Sequence, residues 1–238
     1  MPNQNLAYGL VMKKIVVLNP KGGSGKTTIA TNLAAYFSTQ GMEPTLMDMD
    51  RQGSSMHWLD KRFADLPLIH GVAAYENQMR VTRSWQMRVP PESRRVVVDT
   101  PAAIDPQALP DITRGAQAIL IPVLPSDIDI HAATALISNL LLIARIRRSD
   151  GRIGVLANRV KSNTLIYQSL MRFLGNLRIP IVGILRDSQA YVRCSEQGIG
   201  IHEMKPHHDV RKDVEQWKSI LSWEKSRPAS ALPSVGVV

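Results

Sequence analysis

Lys14-Ile-Val-Val-Leu-Asn-Pro-Lys-Gly-Gly-Ser-Gly-Lys-Thr-Thr28 decides the fold. Its opening, Lys14 to Leu18, is a short apolar, β-branched run that suits a strand buried on both faces. A glycine-rich turn follows. Thr27 to Gln40 then carries Ile29, Leu33, Tyr36 and Phe37 at helical spacing, and Gly41 is a C-terminal stop. Strand, glycine turn and helix in that order make a cradle for phosphate. Glycines let backbone N–H groups turn toward an anion with no Cβ in the way. The helix N-terminus adds a favourable dipole. Gly22, Gly23, Ser24 and Gly25 supply the turn. Lys26 reaches the β- and γ-phosphates, Thr27 offers a hydroxyl to Mg²⁺, and Thr28 touches the α-phosphate.

Outward from this loop, strands and helices alternate. Thr45 to Met49, Pro67 to Tyr75, Arg94 to Val98, Ala116 to Val123, Ile153 to Ala157 and Ile179 to Leu185 read as strands. Ser54 to Ala64, Ile128 to Ile146, Thr164 to Leu174, Ser188 to Glu196 and Asp209 to Glu224 read as helices. That pattern predicts an α/β fold, a doubly wound and mostly parallel sheet flanked by helices. Ligands in such folds sit beyond the carboxyl ends of the strands. Asp48, Asp50 and Asp99 fall at that edge. Asp99 closes Val96-Val-Val-Asp99-Thr-Pro-Ala102, and its carboxylate holds Mg²⁺ through water, because that ion keeps much of its hydration. Each aspartate alone could equally cap a helix or form a turn.

With 238 residues, the chain can bury a full core as one domain. Residues 13–226 are read as that domain, 1–12 as a flexible extension and 227–238 as a loose tail. One cysteine, Cys194, excludes a disulfide scaffold, a four-cysteine zinc site and a self-contained iron–sulfur site. A reducing, cytoplasmic compartment is the natural expectation. No run of eighteen apolar residues is present, so no stable membrane insertion is expected.

Twenty-nine Lys and Arg face twenty Asp and Glu, a net charge of +9. The excess is concentrated. Between Arg145 and Arg193 there are ten basic residues and only two acids, Asp150 and Asp187. Such a field is the footprint of a polyanion partner, and the competing reading is a solvated arginine-rich surface. Charge alone makes Arg172 and Arg178 candidate contacts for such a polyanion, which the resemblance given below implies is DNA.

The loop departs from the general P-loop in having Pro20 where its first glycine stands. In Lys21-Gly-Gly-Ser-Gly-Lys26-Thr the chain resembles the ParA/MinD family, whose deviant Walker A motif carries an extra lysine at the position of Lys21. Within that family it is most similar to small, ParF-like members, which also carry Asn-Pro before the lysine. The resemblance covers about residues 12 to 225. It implies a homodimer in which two chains sandwich two ATP molecules, with Lys21 reaching the partner's nucleotide. It implies that Asp50 orients or deprotonates the attacking water and that Asp48 supports the metal shell, in Asp48-Met-Asp50-Arg-Gln52. Arg51 replaces the family's proline there. It places Asn158 and Arg159 near the adenine, although a turn-forming Asn158 is an equal reading. It makes Lys161 and Arg193 contacts for double-stranded DNA.

The resemblance therefore implies an ATP hydrolase, weak until stimulated by a ParB-like or cargo-adaptor protein, that segregates a plasmid or chromosome over the nucleoid. Positioning of a protein cargo, such as carboxysomes or chemosensory clusters, uses the same physics. A MinD-like membrane switch is a further alternative, but it needs a terminal amphipathic helix with a basic face. The stripe Val210, Val214, Trp217 and Leu221 on the last long helix is expected to pack on the sheet instead. A cluster carrier lacks its cysteines, and a small-molecule ligase leaves the basic segment unexplained.

Overall fold

The computed structural model describes residues 12–76, 89–205 and 207–228. The chain runs β1 (Lys13–Val17), α1 (Lys26–Thr39), β2 (Thr45–Asp48), α2 (Ser54–Asp60), β3 (His70–Ala73) and β4 (Arg95–Asp99). It continues α3 (Leu109–Thr113), β5 (Ala116–Val123), α4 (Asp127–Leu142), β6 (Ile153–Val160), α5 (Leu165–Asn176), β7 (Ile181–Arg186), α6 (Gln189–Gln197) and α7 (His208–Lys225). The seven strands form one parallel sheet in the order β3-β2-β4-β1-β5-β6-β7.

Side-chain alternation divides the core into two layers. In β1, Val16 faces the side covered by α3, α4 and α5, through Leu109, Ile137 and Leu170. Ile15 and Val17 face the other side, covered by α1, α2, α6 and α7, through Leu33, Trp58, Cys194 and Trp217. In β5, Ile119 and Ile121 go to the first layer and Leu120 to the second. Burial on both faces explains why these strands read as unbroken apolar runs.

From β1 the chain moves one way to β2 and β3, returns to β4, then crosses to β5, β6 and β7 on the far side. The reversal at β1 leaves a crevice at the carboxyl edge, and the glycine loop sits in it. Asp48 and Asp99 end neighbouring strands and are paired in register. Asp50 lies two residues beyond β2, in the following turn, rather than at a strand end of its own.

Several boundaries differ from the sequence reading. Met12, assigned there to the extension, is buried in the first core layer. Arg227, assigned to the tail, packs on Trp223 and donates to the Gly151 carbonyl at 2.7 Å. Residues 1–11 and 229–238, the bulk of both segments, lie outside the described residues. Helix α2 stops at Asp60 and α4 at Leu142, each shorter than its apolar content suggests. β6 is longer: it continues past Ala157 to Val160, with an irregular register against β7 between those residues.

Helix α7 lies on the sheet. Val210, Trp217 and Ile220 are buried, and Val214 and Leu221 pack against them. Its end is locked to the start of β1 and β4, where Glu224 meets Arg95 at 3.0 Å and Lys13 at 3.7 Å, all nearly shielded from solvent. Among the described residues no helix is long and apolar enough to cross a membrane.

Candidate functional site

An open cleft of about 560 Å³ lies along the carboxyl edge, a size suited to a small ligand. One end is walled by Gly22, Gly23, Gly25, Lys26, Thr27 and Thr28, with Asp50 across from them. The other end is walled by Asn158, Arg159, Asp187, Ser188, Gln189, Tyr191 and Val192.

The loop is held from below by Asn19. Its buried amide donates to the Pro122 carbonyl at 2.5 Å, and its oxygen accepts from Lys21 N–H at 2.8 Å. Gly25 has φ 92°, and a Cβ built there would collide with Asn158 Nδ2. Only glycine permits both the backbone and that approach. Ser24 is buried, its hydroxyl donating to the Lys21 carbonyl.

Lys26 is buried, and its Nζ crosses the loop to donate to the Lys21 carbonyl at 3.1 Å. Burial lowers the pKa of its ammonium, while Asp99 and Asp50 act to raise it. A positive charge held in this setting gains from an arriving anion. The Lys21 ammonium behaves differently. Lys21 does not wall the cleft, and its side chain makes no ion pair or hydrogen bond among the described residues.

The metal question turns on Asp99. Its Oδ2 accepts from the Thr27 hydroxyl and from the Ser55 hydroxyl, each at 2.8 Å. Its Oδ1 is buried with no hydrogen-bond partner among the described residues. Burial pushes the carboxyl up to about 6, against the pull of Thr27 and Ser55. An orphaned carboxylate oxygen beside a threonine hydroxyl is a hard-oxygen donor set that fits Mg²⁺. Thr27 and Asp99 would hold the ion, which would neutralise phosphate charge.

Asp48 does something else. It is fully buried, and its carboxylate accepts backbone N–H bonds from Asp50 at 2.9 Å, Ser55 at 2.9 Å and Met56 at 3.3 Å. These bonds shape the turn that carries Asp50 and start α2 beside Ser55, which holds Asp99. Asp50 is half-buried on the cleft wall; its Oδ1 accepts from Gln52 N–H at 3.0 Å, and its Oδ2 has no hydrogen-bond donor among the described residues. Arg51 is exposed beside it and makes no ion pair among the described residues.

At the far end, Asn158 is buried inside β6 rather than placed in a turn after it. Its Nδ2 donates to the Ser24 carbonyl at 2.9 Å, so one of its two N–H donors braces the loop. Arg159 sits at φ 50° in the irregular part of β6 and pairs with Asp187 at 3.2 Å. Bulged strands re-aim side chains in this way. Tyr191, which the sequence did not single out, shows the cleft a ring whose hydroxyl accepts from Trp217 Nε1 at 3.0 Å. Ser55 was also missed, because its partner Asp99 lies 44 residues away in sequence.

The basic segment is partly neutralised. Arg147 and Arg152 share Asp150, Arg159 takes Asp187, and Arg186 takes Asp213 from α7 at 2.6 Å. The sequence window lacks that last acid; the fold brings it in. Lys161, Arg172, Arg178 and Arg193 are exposed and have no ion pair among the described residues. They do not share one edge. Lys161 follows β6 and Arg193 lies on α6 after β7, both at the carboxyl edge. Arg178 precedes β7, at the opposite edge, and Arg172 lies toward that end of α5. Cys194 is buried, and burial pushes its thiol up to about 12, which makes it inert.

The geometry matches known proteins. The family model of the CobQ/CobB/MinD/ParA nucleotide binding domain matches residues 15–201. The maintenance of carboxysome distribution protein A of Halothiobacillus neapolitanus is 26% identical over 197 residues, covering 80% of this chain and 87% of that protein. The chromosome-partitioning ATPase Soj of Thermus thermophilus is 45% identical over 51 residues, 21% of this chain and 20% of that protein. Among solved structures, the MinD cell division protein of Aquifex aeolicus aligns with a TM-score of 0.69 at 17% identity, covering 93% of this chain and 99% of that one, a likeness of fold. The lysine-bearing glycine loop, the buried Asp99 and the match over most of the chain place it in the CobQ/CobB/MinD/ParA nucleotide-binding family.

Proposed function

We propose that this chain is a ParA-type ATPase whose ATP-bound form is a sandwich homodimer that binds double-stranded DNA without sequence preference. The observation that carries the proposal is Lys21: an ammonium in the phosphate loop, unpaired among the described residues, that stays off its own cleft wall. Such a cation is available to a second copy's nucleotide. Exposed apolar side chains at the same edge support pairing there. Ile128 opens α4, Leu165 and Ile166 open α5, and Val192 rims the cleft.

Hydrolysis in this reading uses little covalent chemistry. Lys26 and Lys21 neutralise charge as the γ-phosphate departs, and Asp50 aims the water in line. Turnover is slow until a ParB-like or cargo-adaptor protein acts. ADP then returns the chain to monomers, which leave the DNA. Lys161 and Arg193, at the edge that pairs, are the best-placed DNA contacts. The protein works in the cytoplasm, on the nucleoid. The cargo is a plasmid or chromosome. Movement of a protein assembly is the second reading, favoured by the near full-length likeness to a carboxysome-distribution protein.

DNA affinity measured with ATP, with ADP and without nucleotide tests the switch. Tight binding with ATP alone supports it, and equal affinity in the three conditions defeats it. A steep fall with salt is expected of phosphate contacts.

A further inference from the structure

The rim of the sheet opposite the nucleotide cleft carries a second group of ligand-type side chains. β3, β2 and β4 are adjacent and parallel, so their starts meet at that rim. Glu43 lies two residues before β2, His70 opens β3, and Glu92 lies three residues before β4. One ring nitrogen of His70 and one carboxylate oxygen from each glutamate lie within 4.8 Å of one another. The three come from separate stretches of sequence, so only the sheet brings them together.

The backbone beside each of them is fixed. His70 N–H donates to the Pro44 carbonyl at 2.9 Å, and Arg94 N–H donates to the Met42 carbonyl at 3.1 Å. The buried hydroxyls of Thr45 and Ser93 bond at 2.8 Å. Glu43 and Glu92 are thus held on neighbouring, cross-linked segments while their side chains remain exposed.

An observation at the imidazole points to a ligand. His70 Nε2 is shielded from solvent and has no hydrogen-bond partner among the described residues. A buried polar atom left unpaired costs free energy, and coordination would remove that cost. The two carboxylates make no ion pair among the described residues either, in a chain where Lys and Arg outnumber Asp and Glu by 29 to 20. A cation between them would offset their mutual repulsion.

We propose that Glu43, His70 and Glu92 form a divalent-cation site, distinct from the metal that accompanies the nucleotide. One imidazole nitrogen with two carboxylate oxygens suits Zn²⁺, Mn²⁺ or Co²⁺ better than Mg²⁺. Three protein ligands leave further positions to water. Because Glu43 and Glu92 lie just before β2 and β4 and His70 opens β3, the ion fastens three strand starts to one point and stabilises that half of the sheet.

The test uses the untagged full chain with ADP and excess Mg²⁺, so that the nucleotide's own metal position is filled. Zn²⁺ and Co²⁺ are titrated by calorimetry, the Co²⁺ spectrum is recorded, and the melting temperature is followed with and without Zn²⁺. The expected result is one ion per chain, a melting temperature raised by Zn²⁺, and affinity weakened at least about tenfold in Glu43→Gln, His70→Gln and Glu92→Gln. Glu43 and Glu92 are exposed, so their variants keep the fold and read the site alone. No saturable binding by the folded parent would overturn the proposal. Undiminished binding in both glutamate variants would also overturn it, placing the ion elsewhere, for example at His207 and His208.

Discussion

Ser55 shares one oxygen of Asp99 with Thr27, so two side chains from two helices set the position of a single carboxylate. Removing the Ser55 hydroxyl leaves that carboxylate with Thr27 as its one hydrogen-bond donor among the described residues. Ser55→Ala is expected to lower turnover about tenfold, roughly 1.4 kcal/mol in barrier, with nucleotide affinity changed little. Single-turnover hydrolysis beside equilibrium nucleotide binding separates the two effects. A second prediction concerns His202, whose ring lies 4.9 Å from that of Tyr36, tilted to it, and 6.0 Å from that of Trp217, edge-on. Burial lowers its pKa to about 4 from the usual 6.5. The unfolded chain therefore takes up a proton at higher pH than the folded one. Stability is intact above about 6.5 and declines as pH falls toward 4, by up to about 3 kcal/mol. Denaturant melts across that window should flatten in His202→Phe. Lys26, Thr27 and Asp99 were legible in the sequence because their chemistry demands fixed types at fixed spacing. Asn19, Ser55 and the loop-bracing role of Asn158 were not, because each depends on a partner many residues away.

At the scale of elements, apolar runs marked the strands well and their ends poorly. β6 shows why: its core-facing run stops at Ala157, yet the backbone continues to Val160 through a bulge that turns Asn158 inward and Arg159 outward. Periodicity cannot register that step, since bulges break alternation. The basic segment teaches a similar lesson. Arg186 looked free until α7 delivered Asp213 to it. The surviving cations divide between two rims, which yields a directional prediction. Lys161→Ala and Arg193→Ala should each weaken ATP-dependent DNA binding and lower the salt slope by about one. Arg178→Ala, at the opposite edge, should leave both nearly unchanged. Binding isotherms at several salt concentrations decide between this split and a single continuous patch.

For the whole molecule, strand–helix alternation was sufficient to specify a parallel doubly wound sheet, because right-handed crossovers leave few other arrangements. The strand order and the reversal at β1 were not readable from periodicity, yet they make the cleft by opening the carboxyl edge beside the glycine loop. That edge gathers a loop lysine off its own cleft wall, exposed apolar helix starts, and Lys161 and Arg193, which have no ion pair among the described residues. Each of these features is better used by two molecules than by one. Lys21→Ala should accordingly retain nucleotide binding, through Lys26, while losing pairing and hydrolysis together. The most direct measurement is the mass of the chain in solution with Mg²⁺ and a nonhydrolysable ATP analogue. Twice the 26.4 kDa of one chain, reverting with ADP, is the predicted result. A mass that stays at one chain at saturating analogue would contradict it.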